Sequence, residues 1–183
     1  YNSARVFVPL LIVVLAYLYK KQLFRQWQSK EKRKPFYLGL AALALLFLPM
    51  FYQLVNPVGQ ARYGWVAIID EGAVTKINEE RHLSELSPLL TRAFYNKGTY
   101  FITKFASNWF SHFSPEFLFF EGGSHYQFSL PEHGLIYLPN LLFFLIGLFT
   151  LVKKRNKSSW LLLAWLVLAP IPSSLTREAP HVL

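Results

Sequence analysis

The chain has 183 residues, of which 53% are hydrophobic and 17% aromatic, with a net charge of +9 and no cysteine. Its apolar residues are gathered in blocks, which excludes an ordinary soluble domain, and the lack of thiols excludes disulfides and thiolate-held metals within this stretch. The positive charge is also gathered, in two short connections beside apolar blocks, so it reads as a positive-inside topology signal and not as a nucleic-acid surface.

The first apolar block, Val6 to Tyr19, has fourteen residues, and extending it through Ser3, Ala4 and a snorkelling Arg5 makes a plausible span. Lys20, Lys21, Arg25, Lys30, Lys32, Arg33 and Lys34 follow with only Glu31 against them, so residues 20–34 are expected to be a cytoplasmic connection. Within it Leu23, Phe24 and Trp27 give a basic helix a small apolar face suited to the inner leaflet. A second span is expected from Phe36 to Tyr52, with aromatic residues at both ends and Pro49 near its outer end.

Residues 53–133 then read as an extracytoplasmic segment with six basic and eight acidic residues. Asn56-Pro57 and Gly59 predict a turn, and residues 65–69 a short extended or helical piece before Asp70-Glu71-Gly72. Asn78, followed by Glu79 and Glu80, predicts a helix start, with these acids and Glu85 on a solvated face. Ser87-Pro88 predicts a second start, for a helix turning Leu89, Leu90, Ala93 and Phe94 inward and stopping at Asn96-Lys97-Gly98.

From Phe94 to Phe128 thirteen of thirty-five residues are aromatic, yet no run there is apolar enough to cross a bilayer. Phe101, Phe105, Trp109 and Phe113 recur at helical spacing between polar pairs Thr103-Lys104, Ser107-Asn108 and Ser111-His112. The pattern predicts an amphipathic helix whose aromatic stripe contacts lipid or the transmembrane bundle while its polar face is hydrated. Ser114-Pro115 breaks it, and Gly122-Gly123 predicts a turn after Phe117-Leu118-Phe119-Phe120. A third span is expected from Leu135 to Val152, closed by Lys153-Lys154-Arg155, and a fourth from Trp160 to about Ile171, broken by Pro170 and Pro172. The expected architecture is therefore an all-α integral membrane protein. It has about four transmembrane helices, cytoplasmic connections at 20–34 and 153–159, an extracytoplasmic segment of short interfacial helices and an outer loop at 173–183. The domain divisions are 1–52, 53–133 and 134–183. Asn156-Lys157-Ser158 is a glycosylation sequon on the cytoplasmic side, where it is idle. Tyr1 as first residue, Met50 as sole methionine and a loop-like end at Leu183 read as an internal piece of a longer protein.

Chemistry-bearing residues collect on the outer side. Arg177, Glu178 and His181 follow a proline-broken span end, where an arginine fork suits a phosphate headgroup and a solvated loop anchor is the plain alternative. His125, Glu132 and His133 flank the third span at a spacing that matches no usual zinc site, so no metal is expected.

Three stretches, Asn108-Trp-Phe-Ser-His-Phe-Ser-Pro-Glu-Phe-Leu-Phe-Phe-Glu-Gly-Gly123, Leu130-Pro-Glu-His-Gly-Leu-Ile-Tyr137 and Ala169-Pro-Ile-Pro-Ser-Ser-Leu-Thr-Arg-Glu-Ala-Pro-His181, carry a family resemblance. With Ile77-Asn-Glu-Glu-Arg81 and Tyr95-Asn96-Lys97, they resemble the middle of bacterial family 39 membrane glycosyltransferases, relatives of dolichyl-phosphate-mannose protein mannosyltransferases. Where relatives often have Gly-Asp, this chain has Gly122-Gly123. The resemblance implies part of a GT-C fold in the bacterial inner membrane, a polyprenyl-phosphate sugar as donor and an extracytoplasmic acceptor lipid, glycan or protein. It further implies an acidic base upstream of Tyr1, and Arg177, His181 and His125 as binding residues for the lipid phosphate or sugar. No cofactor is expected within the piece. A non-enzymatic multi-pass protein, such as a transporter subunit or assembly scaffold with a partner-binding outer loop, is the alternative.

Overall fold

The computed structural model describes residues 2–56, 64, 66–123 and 133–180. Among these residues helix dominates and no strand forms, extended pairing being confined to an isolated antiparallel bridge between Ala67 and Thr176. The helices are α1 (Asn2–Leu18), α2 (Lys20–Gln28), α3 (Lys30–Val55), α4 (Glu71–Leu83), α5 (Pro88–Phe94) and α6 (Lys97–Ser111). A π-helical turn (Glu116–Phe120), α7 (Asn140–Lys154), α8 (Lys157–Leu168) and the single turn α9 (Ile171–Ser174) complete them. The chain divides into two compact units, Tyr1–Tyr63 with Leu148–Ala169 and Gly64–Gly147 with Pro170–Leu183.

In the first unit α3 is the one described helix long and apolar enough by itself to cross a bilayer, over Lys30–Gln53. It absorbs the expected span from Phe36 to Tyr52 and starts earlier, at Lys30, while α2 is the basic helix expected within the connection at 20–34. The expected count of four spans is not reached. α1 and α2 pass the same test only as a pair bent by 73° at Tyr19. α7 and α8 have 15 and 12 residues, roughly 22 and 18 Å of helix against a hydrocarbon core of about 30 Å. The expected third span is shortened: residues 133–139 are not helical, the Ile136 N–H donates to the Leu118 carbonyl at 2.8 Å, and α7 begins at Asn140, directly after Pro139. The fourth ends at Leu168, just before Pro170, which has no N–H to continue the ladder.

α1 runs antiparallel to both α3 and α8. Arg5 is hydrogen-bonded to Gln53 at one end of α1, Phe7 meets Trp165 with ring centroids 5.5 Å apart, and at the other end Lys157 lies 4.6 Å over the Tyr19 ring and donates to Gln22 at 3.0 Å. Both basic connections consequently lie at the same end of this unit. Asn156 caps α8 by accepting from the Ser159 N–H at 2.7 Å, a local role for the sequon residue. Among the described residues of the unit no apolar side chain is buried, while Leu46 is 78% exposed and Phe149 67%.

The second unit holds what buried apolar core there is: Ala67, Ile68, Ala73, Ile77 and Phe117. α4 begins at Asp70, whose carboxylate accepts from the Ala73 N–H at 2.8 Å, so Asn78 is interior and not a start. Ala73 and Ile77, four apart, form its buried stripe. α5 starts at Ser87-Pro88 as expected, but Leu89, Leu90, Ala93 and Phe94 are exposed and Thr91 is the buried residue, its hydroxyl donating to the Leu86 carbonyl at 3.1 Å. Asn96 opens α6 through a capping box with Thr99, and its amide donates to the Arg92 and Ala93 carbonyls at 3.2 and 2.7 Å, so the expected stop of α5 falls there too. Gly122 takes φ 72, the left-handed conformation that the predicted turn requires. A Cβ at Gly134 would collide with the main chain of Phe119, so that crossing admits only glycine.

Candidate functional site

The site in the second unit grows from the last turn of α6. The final carbonyls of a helix have no intrahelical partners, and the Asn108 carbonyl is satisfied locally, accepting from the Ser111 hydroxyl at 2.6 Å and facing His112 Nδ1 at 2.7 Å. A carbonyl only accepts, so Nδ1 carries the proton, and in the neutral ring Nε2 accepts from the Ser173 hydroxyl at 2.8 Å. The Asn108 amide donates to the Ser174 and Thr176 carbonyls at 3.3 and 2.7 Å, closing the orphan end of α9 in turn. Phe117 packs on the edge of the His112 ring with centroids 5.4 Å apart.

This arrangement departs from the expected facing of α6 at Asn108 and His112, whereas Thr103 and Ser107 are exposed as expected. Asn108 and His112, placed on the hydrated side by their polarity, are buried at 2% and 7% exposure. The aromatic stripe is half-buried and self-associated: Phe101 stacks on Phe105 at 6.2 Å, and Trp109 meets Phe113 at 4.8 Å. Ile102 and Phe110 face outward, each 66% exposed. The physical reason is that the α9 turn offers unsatisfied carbonyls, which an amide can pair and an aromatic ring cannot. Among the described residues every buried side-chain polar atom has a hydrogen-bond partner.

The α9 turn then delivers Thr176 to its bridge with Ala67, and the Arg177 N–H donates to the Val66 carbonyl at 3.0 Å. That tie brings the Arg177 guanidinium to Asp70, 3.1 Å from its carboxylate, and 3.7 Å from Glu178. The Ala73 N–H and, after it, the Arg177 side chain hold the Asp70 carboxyl below the usual aspartate range. Asp70 is thus a capping and pairing anion, too weakly basic at neutral pH to serve well as a general base. His112 and Ser173, although within hydrogen-bond reach, are buried and act as a brace. Arg177, with a side chain 48% exposed, is the group this site presents to its surroundings.

Of the sequence-predicted site residues, Arg177 lies at this junction, whereas His125 and His181 fall outside the described residues. Asn108 and Ser173 carry no sequence motif that marks these roles. Asp70-Glu71 bears the acid-rich signature of a helix start, which Gly72 obscures. No group of histidines and acids able to hold a metal occurs among the described residues. No family model, no curated protein and no solved structure matches this chain, so the family resemblance rests on the residues quoted for it alone.

Proposed function

We propose that the chain is part of a multi-pass membrane glycosyltransferase of the family 39 type, moving a sugar from a polyprenyl phosphate to an acceptor on the extracytoplasmic face. The observation that carries the reading is the packing of Asn108 and His112 against residues 173–176, which presents Arg177 at the surface. These two stretches, distant in sequence, are the ones in which the resemblance is concentrated. An ion pair between half-exposed partners contributes little, whereas a phosphate can engage both arms of the guanidinium in charge-assisted bonds. Donor phosphate therefore exchanges with Asp70 at Arg177, and the acid that deprotonates the acceptor comes from elsewhere in the protein.

The multi-pass part of the reading draws on the apolar surface of α3, α7 and α8, whose Leu, Phe and Trp side chains stand uncovered. Water does not favour such a surface and lipid does. Residues 20–34 and 153–159 then face the cytoplasm of a bacterial inner membrane, following the basic clusters. In this reading Phe101, Phe105, Trp109 and Phe113 lie in the outer interface.

One observation favours the non-enzymatic alternative: Arg177 already has Asp70 and Glu178 beside it, as a purely structural tie would. Arg177→Ala in the full-length protein separates the two. The transferase reading expects at least a tenfold loss of transfer from the lipid donor, with the protein still assembling in membranes. Undiminished transfer removes Arg177 from the site, and no transfer by the unmodified protein with any polyprenyl-phosphate sugar removes the enzyme.

A further inference from the structure

We infer that the open cleft at the foot of α3 binds the headgroup of an anionic phospholipid, on the side of the bilayer that carries the basic connections. The cleft, about 590 Å³, is lined by Lys30, Arg33, Lys34, Tyr37, Leu38 and Ala41. These positions follow the three-and-four spacing of a single helix face. Along it the lining passes from three cations through a phenol to aliphatic carbon, over roughly 16 Å of axial rise. That gradient fits an amphiphile. A soluble anion would use the cations and leave the Leu38–Ala41 wall wet.

The cationic end is braced. Arg33 Nε donates to the Trp27 carbonyl at 3.2 Å, and Trp27 Nε1 donates to the Tyr37 hydroxyl at 3.0 Å, so α2 fixes both a cation and the phenol of the cleft. No ion pair among the described residues engages Lys30, Arg33 or Lys34. Residues 20–34 carry seven basic side chains against Glu31, a field that concentrates anionic lipid before the cleft selects it. The apolar wall lies on α3, the described helix able to cross a bilayer, so a lipid held by its phosphate has its chains directed along the span. The inference rests on the membrane reading of α3.

The test reconstitutes the chain in bilayers of mixed zwitterionic and anionic phospholipid, extracts it in mild detergent and quantifies the co-purifying lipid by mass spectrometry. Anionic lipid is expected to be enriched. Lys34→Gln is expected to lower the enrichment a few-fold and the triple variant Lys30→Gln, Arg33→Gln, Lys34→Gln tenfold or more, since each substitution removes a charge-assisted contact to the bound phosphate. A triple variant of equal charge loss, Lys153→Gln, Lys154→Gln, Arg155→Gln, is expected to stay within twofold. Enrichment that survives both cleft variants, or that falls equally in the control, overturns the site. So does displacement by millimolar glycerol phosphate, which would mark a soluble-phosphate site. Flotation with zwitterionic vesicles reads the membrane interpretation separately: a chain that floats without headgroup preference loses the site alone, and one that does not float loses both.

Discussion

Asp70 does two jobs with one carboxylate, capping α4 and pairing with Arg177, and the two can be separated by substitution. Asparagine retains the capping oxygen and loses the charge, while alanine loses both. At neutral pH the thermal midpoint should fall in the order native chain, Asp70→Asn, Asp70→Ala. Because the folded-state pKa is depressed, the charge contributes stability above the unfolded value of about 3.9 and loses it as pH falls through the lower folded value. The gap between the native chain and Asp70→Asn should therefore be constant from neutrality to mildly acidic pH and close in strong acid. A gap that persists there would show that the carboxylate charge is not its source. Arg177 was legible as a cation after a proline-broken apolar block, but its partner was not, because Asp70 lies 107 positions away.

At the scale of elements, helix existence was legible and helix facing only in part. The stripe of Phe101, Phe105, Trp109 and Phe113 recurs at the helical period, so α6 was readable from spacing alone. Which side turned inward depended on whether the neighbour needed apolar cover or hydrogen-bond donors, and α9 needed donors. Asn108→Leu keeps the branched side chain with the same number of heavy atoms and strands the Ser174 and Thr176 carbonyls. Leaving buried acceptors unpaired costs about 1–3 kcal/mol, so the second unit should unfold earlier in denaturant, whereas Ile102→Ala on the exposed face should cost far less. Equal effects of the two substitutions would contradict the burial of Asn108 against α9. α5 illustrates the same lesson: its leucines predicted a buried face, yet Thr91 is the residue covered. Asn96 shows how a single residue type marks either end of a helix, since its side chain can cap the following segment as readily as its backbone can end the preceding one.

For the whole molecule, the informative quantity is where charge and uncovered apolar surface lie. The antiparallel order of α1, α3 and α8 places both basic connections at one end of the first unit. The natural absence of cysteine makes single-cysteine labelling clean. Lys32→Cys and Lys154→Cys should react with an impermeant maleimide from the same side of a sealed vesicle, and Glu85→Cys from the other. Labelling of the first two from opposite sides would break the antiparallel unit, and labelling of all three from one side would remove the multi-pass reading.

By itself the sequence determined the helical class, the positions of the apolar blocks and the clustering of positive charge, because periodicity and hydropathy act over a few turns of one chain. Only the tertiary structure decided that Asn108 and His112 are the buried residues of an aromatic helix, and that Arg177 meets Asp70. Both depend on distant groups meeting: the α9 carbonyls take the Asn108 amide, and the bridge between Ala67 and Thr176 carries Arg177 to Asp70. Such needs arise only when segments far apart in sequence are brought together.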